Sequence, residues 1–216
     1  MAHAPVRPLA QAGVRDVNVE VASGVCLRGP LAMPWGADCR GAVVLAGGLG
    51  SSRHGLRTGR AVRALGDAGM ATLAMDLLTP LEGEYLAGMF DAGLLAERLL
   101  AVGGWLGRHS PTSSLPLGFF ATSGCAQAAI IAAEACRASV CAVIEHGGRL
   151  DPGGLDPGRR GAGAAHTPRL LVAGDAVAGG HEVQLAQLAA RWFAEHIAEG
   201  APACELRSRA MARSSG

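Results

Sequence analysis

Short unbroken apolar runs alternate along the chain with longer stretches whose apolar residues recur every three or four positions. The short runs are GAVVLAGG at 41–48, MATLAM at 70–75, LPLGFFA at 115–121, VCAVI at 140–144 and LLVA at 170–173. Runs of this length without polar alternation predict strands buried on both faces, as in a parallel sheet covered by helices. Between them, Thr58 to Asp67 puts Ala61, Val62 and Leu65 on one helical face, and Gly69 stands where a left-handed residue ends a helix. Asp91 is placed to cap a helix carrying Leu94, Leu95, Leu99, Val102 and Leu106. Ala126 to Cys136 predicts a helix of small residues. Glu182 to Ile197 predicts the last helix, with Val183, Ala186, Ala190, Phe193 and Ile197 inward.

Ahead of these elements, DVNVE at 16–20 alternates strictly and VCL at 25–27 follows a Ser-Gly turn, which predicts an antiparallel hairpin at a sheet edge. Strands alternating with helices imply βαβ crossovers, hence an α/β fold with a mostly parallel sheet. Residues 1–199 are expected to form one domain, and 200–216, which lack apolar patterning, a loose tail. The stretch around Pro80 and the Gly-, Pro- and Arg-rich stretch from Gly147 to Pro168 read as loops.

Composition then narrows the choices. With 216 residues, half of them hydrophobic and only 4% aromatic, the chain suits a layered α/β fold packed from small side chains. All 19 basic residues are Arg, so mechanisms that need a lysine, such as a Schiff base or a P-loop, are excluded. A net charge of +1 with scattered arginines gives no basic stripe for nucleic acid. The six cysteines are widely spaced with no CxxC pair; they read as reduced core or near-core thiols, and no cluster has metal-ligand spacing. MAHAPVRPLAQAG lacks an apolar leader and no window reaches a membrane-spanning length, so the expected location is the cytoplasm. No cofactor is implied; the expected partner is a small-molecule substrate, and the oligomeric state is not encoded in any visible pattern.

The segment richest in chemistry is FFATSGCAQAA at 119–129. A buried strand runs into Ser123 and a helix of small residues starts at once, the setting in which a serine on a sharp strand-to-helix turn projects above a sheet. Such a turn needs small residues two before and two after the serine. Here they are Ala121 and Cys125 rather than the usual glycines. A serine between strand and helix also serves as an ordinary helix cap. After the first central strand comes AGGLGSSRHG at 46–55; an amide near Leu49, with that of Gly124, would give two donors for an oxyanion over Ser123. A dinucleotide-binding loop is the rival reading of those glycines, but Gly48-Leu49-Gly50-Ser51-Ser52-Arg53 lacks the third glycine.

Taken in order, VVLAGGLGSSRHGLRT, MATLAMDLLTPLEGE, FDAGLLAERLLAVGGWL, LPLGFFATSGCAQAA and AVIEHGGRLD resemble the dienelactone-hydrolase-like α/β-hydrolases over about residues 15 to 175. The LLTP and GLLAERL segments carry the resemblance more specifically than the glycines do. It implies a three-layer sandwich whose serine (or, in true dienelactone hydrolases, cysteine) nucleophile attacks esters, lactones or thioesters. Ser123 falls on the nucleophile position, and Cys125 reads as packing.

The chain departs from the family in three places. Gly47-Gly48 stands where the family commonly has His-Gly, and the elbow glycines are replaced. In family members an acid after the strand equivalent to 170–173 is followed by a further strand, a histidine and the final helix. Here Asp175 is followed almost directly by the helix, so the last strand is expected to be missing. The triad candidate is Ser123, Asp175 and His181, in the order this fold uses. His146, at the end of its own strand beside Glu145, is the alternative base. His54 lies in the glycine-rich loop. His3, His109, His166 and His196 have no acidic or nucleophilic context. The leading reading is a small hydrolase acting through Ser123. The alternative is a degenerate hydrolase fold that binds a small apolar ligand, or promotes a non-hydrolytic step such as cyclisation.

Overall fold

A computed structural model of the chain describes residues 13–34, 39–47, 56–85, 91–136, 139–147, 167–172 and 181–197. The elements, in order, are β1 (Val14–Ala22), β2 (Val25–Ala32), β3 (Gly41–Gly47), α1 (Leu56–Asp67), β4 (Met70–Asp76), α2 (Pro80–Tyr85) and α3 (Ala92–Arg108). They continue with β5 (Leu117–Thr122), a 3₁₀ turn (Ser123–Cys125), α4 (Ala126–Ala135), β6 (Val140–His146), β7 (Arg169–Val172) and α5 (His181–Ile197). The seven strands form one sheet in the order β1-β2-β4-β3-β5-β6-β7. The β1–β2 and β2–β4 pairs are antiparallel, and every other pair is parallel.

The unbroken apolar runs became strands for the reason the pattern gave. β3 and β4 are buried at every residue, and β5 at all but its last. Alternate side chains feed two cores. Val44, Ala46, Leu73, Met75, Phe119 and Ala121 pack with α3 and α4, whereas Val43, Leu45, Ala74, Phe120 and Ile144 pack with α1 and α5. The result is a three-layer sandwich with a mostly parallel sheet.

The local signals at helix ends also hold. Asp91 Oδ1 accepts from the Gly93 amide as N-cap of α3, and Gly69 takes the left-handed conformation (φ 82°) that releases the chain from α1 into β4.

Three expectations need correction. The segment after β4 is not only loop but contains α2, opened by a capping box in which the Glu82 carboxylate accepts from the Thr79 amide and hydroxyl at 2.8 Å. The signal was legible, since Thr79-Pro80-Leu81-Glu82 is a cap, a proline and the matching glutamate. On α5, Val183 does not face inward but is 45% exposed, while Ala189 is fully buried with Ala186, Phe193 and Ile197. The inward positions are 186, 189, 193 and 197, whereas Val183, three residues before Ala186 in the first turn of α5, stands outside the packed cluster. Among the described cysteines, Cys125 is buried and Cys39, Cys136 and Cys141 are half-buried, but Cys26 is exposed instead of near the core.

α5 fixes the orientation of the site. A methyl group on Gly118, the second residue of β5, would collide with the Phe193 ring, and one on Gly41 with Ile197. The end of α5 therefore lies against the strand starts. Since α5 follows β7, it runs back from the C-terminal rim of the sheet, and its first turn begins on that rim.

Candidate functional site

The C-terminal rim gathers most of the chain's candidate chemistry. β5 is an inner strand, paired in parallel with β3 on one side and β6 on the other. It passes directly into the turn Ser123–Cys125 and then into α4, with no intervening loop. Ser123 thus stands where a buried strand meets a helix N-terminus, and backbone donors and the helix dipole there favour developing negative charge. The flanking small residues are buried as the tight turn requires, Ala121 fully and Cys125 at 3% exposure.

Cys125 belongs to the packed core beneath the turn. Burial, aided by the nearby Asp76 carboxylate, pushes its thiol up to about 12, so the reactive thiolate is essentially absent at neutral pH. Asp76 ends β4 opposite Gly47 in the sheet and is 3% exposed. Between the strands, the Thr122 hydroxyl donates to the Ala46 carbonyl at 3.5 Å, tying the end of β5 to β3.

His146 is the last residue of β6 and lies 8% exposed. Its partner across the sheet in β5 is Thr122, not Ser123, and in β7 it is Val172. Alternation from Ile144 places the imidazole on the α1/α5 face. Glu145, one residue earlier, points to the opposite face and is buried at 4% exposure. Burial pushes its carboxyl above the usual range, and the Arg169 charge works in the other direction. The apolar-run reading ended this strand at Ile144; parallel pairing with Ala121 and Thr122 carries it through both polar residues.

His181 opens α5, so its backbone belongs to the same rim. Asp175, Leu49 and the rest of the glycine-rich loop with His54 lie outside the described residues, as do His3 and His166. His109 is stacked on Trp105 and His196 lies tilted against Trp192, with ring centroids 4.2 and 3.9 Å apart. Among the described residues no cluster of three His, Cys, Asp or Glu side chains is arranged to hold a metal ion. No helix among them is long and apolar enough to cross a membrane.

Sequence reading passed over one network. Arg98 of α3 is 5% exposed and donates Nη1 to the Leu77 carbonyl and to Glu82 Oε2, both at 2.8 Å. Its Nη2 donates to the other Glu82 oxygen. Of the two segments that carried the family resemblance most specifically, GLLAERL supplies Arg98 and LLTP supplies the Leu77 carbonyl and Thr79, with Glu82 two residues beyond it.

No protein-family model matches the chain. Two Mycobacterium tuberculosis proteins that carry the provisional name phosphoribosyl transferase are 44% identical to it over 162 residues, 74% of this chain. The chain spans only 35% of the length of those relatives. Among solved structures, a dienelactone hydrolase from Anabaena variabilis is 31% identical with a TM-score of 0.71, covering 87% of this chain and 99% of that one. A lidless α/β serine hydrolase from Xanthomonas campestris shares the fold at 21% identity, with a TM-score of 0.53 over 80% of this chain and 75% of its own. At 31% identity and with near-complete coverage of the Anabaena protein, the chain belongs to the dienelactone hydrolase family of α/β-hydrolases.

Proposed function

We propose that the protein is a serine hydrolase acting on an ester, lactone or thioester of a small molecule, with Ser123 as nucleophile. The observation that supports this most is the placement of Ser123, between a strand buried on both faces and a helix N-terminus, at the C-terminal rim of an inner strand. In this reading Ser123 attacks the substrate carbonyl while an imidazole takes its proton. The amides of Gly124 and Leu49 hold the tetrahedral oxyanion. The imidazolium returns its proton to the departing alcohol or thiol, and water, activated by the same base, cleaves the acyl-serine. His181, oriented by Asp175, is the preferred base because α5 starts on the rim. His146 is the alternative, although its sheet neighbour is Thr122.

The second reading, a fold that keeps a binding surface without hydrolysis, has its own support. Among the described residues no strand follows β7, and only positions 173–180 separate it from α5. The strand-borne scaffold for an acid and base is thus thinner on this side of the site. The provisional transferase name of the mycobacterial relatives belongs to proteins of which this chain spans only 35%.

The deciding experiment combines a fluorophosphonate probe with turnover of p-nitrophenyl acetate by wild type, Ser123→Ala, His181→Ala and His146→Ala. Labelling and turnover that vanish in Ser123→Ala and in one histidine variant support hydrolysis and name the base. Identical background rates in all four proteins leave the non-hydrolytic reading.

A further inference from the structure

We propose that Arg98 is a positioning residue of the candidate site, its guanidinium clamping the turn after β4 so that Asp76 and the elbow keep a fixed relation. This deepens the hydrolase reading, on which its kinetic half rests. The clamp engages the chain at two points of that turn. The Leu77 carbonyl, one residue past Asp76, accepts from Nη1, and the Glu82 carboxylate accepts from both terminal nitrogens. Glu82 is itself fixed from behind by the Thr79 amide and hydroxyl. The intervening Leu77 and Leu78 are buried in the same cluster as Leu95 and Ala96 of α3 and Cys125 of the elbow. Arg98, the turn and the elbow are therefore one packed body, and Asp76 lies at its edge on the rim.

Stability alone is a poor explanation for this arrangement. Taking the Arg98 guanidinium out of water costs several kcal/mol in effective terms, and an apolar side chain of similar volume is often as stable in such a place. Arg98 Nε is buried without an acceptor among the described residues, which adds to that cost. What a bidentate ion pair supplies and a leucine does not is a single geometry. A turn that borders the elbow is where one geometry matters, because misplacing a site by about 1 Å can cost about a hundred-fold in rate.

The test uses the full-length, ¹⁵N-labelled protein with Arg98→Met, Arg98→Lys and Glu82→Gln. Met keeps the volume and removes the clamp; Lys keeps the charge but cannot bridge Leu77 and both Glu82 oxygens; Gln weakens the clamp at its part-exposed end. The amide resonances of Gly124 and Cys125 are expected to move in all three, most in Arg98→Met and least in Glu82→Gln. Ester turnover should lose about ten-fold or more in kcat with KM little changed. If Arg98→Met lowers Tm too far to measure, the other two variants carry the test. Resonances of Gly124 and Cys125 that stay at their wild-type positions in every folded variant overturn the proposal, even if Tm falls. If they move while wild type hydrolyses no ester, the positioning role stands and the hydrolase reading fails.

Discussion

β5 and β7 are both parallel strands that end on the same rim, yet they are built to different standards. β5 is buried along its length, flanked by a strand on each side, and continues without a gap into a turn and a helix. β7 has four residues, pairs among the described residues with β6 alone, and alternates exposed with half-buried positions, Leu171 being 38% exposed. The half of the candidate site that carries the proposed nucleophile is thus held by the core of the sheet, whereas the half proposed to supply acid and base hangs from its edge. Local stability follows buried apolar contact, so the first half is pre-set and the second is where this chain has room to diverge.

The largest effect that would sharpen this contrast is chemical. Ser123→Ala is expected to cut ester turnover by about three orders of magnitude or more, as loss of a triad nucleophile does. Cys125→Ala should leave turnover within a few-fold, and the Cys125 thiol should resist iodoacetamide at mildly alkaline pH, since burial holds it protonated. Rapid alkylation of Cys125 together with loss of activity would shift the nucleophile to the thiol.

Next comes the core itself. Phe119→Ala, at a fully buried β5 position, should cost about 3–5 kcal/mol in urea unfolding. Gly118→Ala should cost about 1–3 kcal/mol, because its methyl would press into the Phe193 ring and push α5 off the strand start. A neutral outcome at Gly118 would mean that α5 is not seated as described, and with it the rim position of His181.

A smaller effect is expected from acid. Glu82 has its carboxyl lowered from 4.5 to about 2, first by hydrogen bonding to Arg98. A carboxylate whose folded pKa is depressed stabilises the fold above its unfolded value and loses that contribution as pH falls through the folded one. Stability should be flat with respect to this group above about pH 5 and decline from there toward about pH 2, by about 1 kcal/mol given its partial exposure. The decline should shrink in Glu82→Gln, and an unchanged profile in that variant would place the acid sensitivity elsewhere. The smallest effect belongs to the edge: Leu171→Ser should stay within about 0.5 kcal/mol of wild type. A loss as large as that at Phe119 would show β7 to be as integral as β5 and would erase the comparison.

The sequence by itself determined the layered fold. Buried strands, helical stripes, the Asp91 cap and the Gly69 terminator are local signals, each set by how a few neighbouring residues meet water or complete a hydrogen bond. The Thr79–Glu82 capping box was of the same kind and equally legible. Tertiary structure alone decided the rest, because it depends on pairing between residues far apart in the chain. The extension of β6 through Glu145 and His146 follows from register with Ala121 and Thr122. The exposure of Val183 follows from its place in the first turn of α5, well before Phe193 and Ile197, which fill the Gly118 and Gly41 gaps. The clamp between Arg98 and Glu82 joins two segments that periodicity assigned to separate elements. No local pattern announces that a charged side chain on a helix is buried. That depends on what folds back over it, and here the covering turn is the one that borders the elbow.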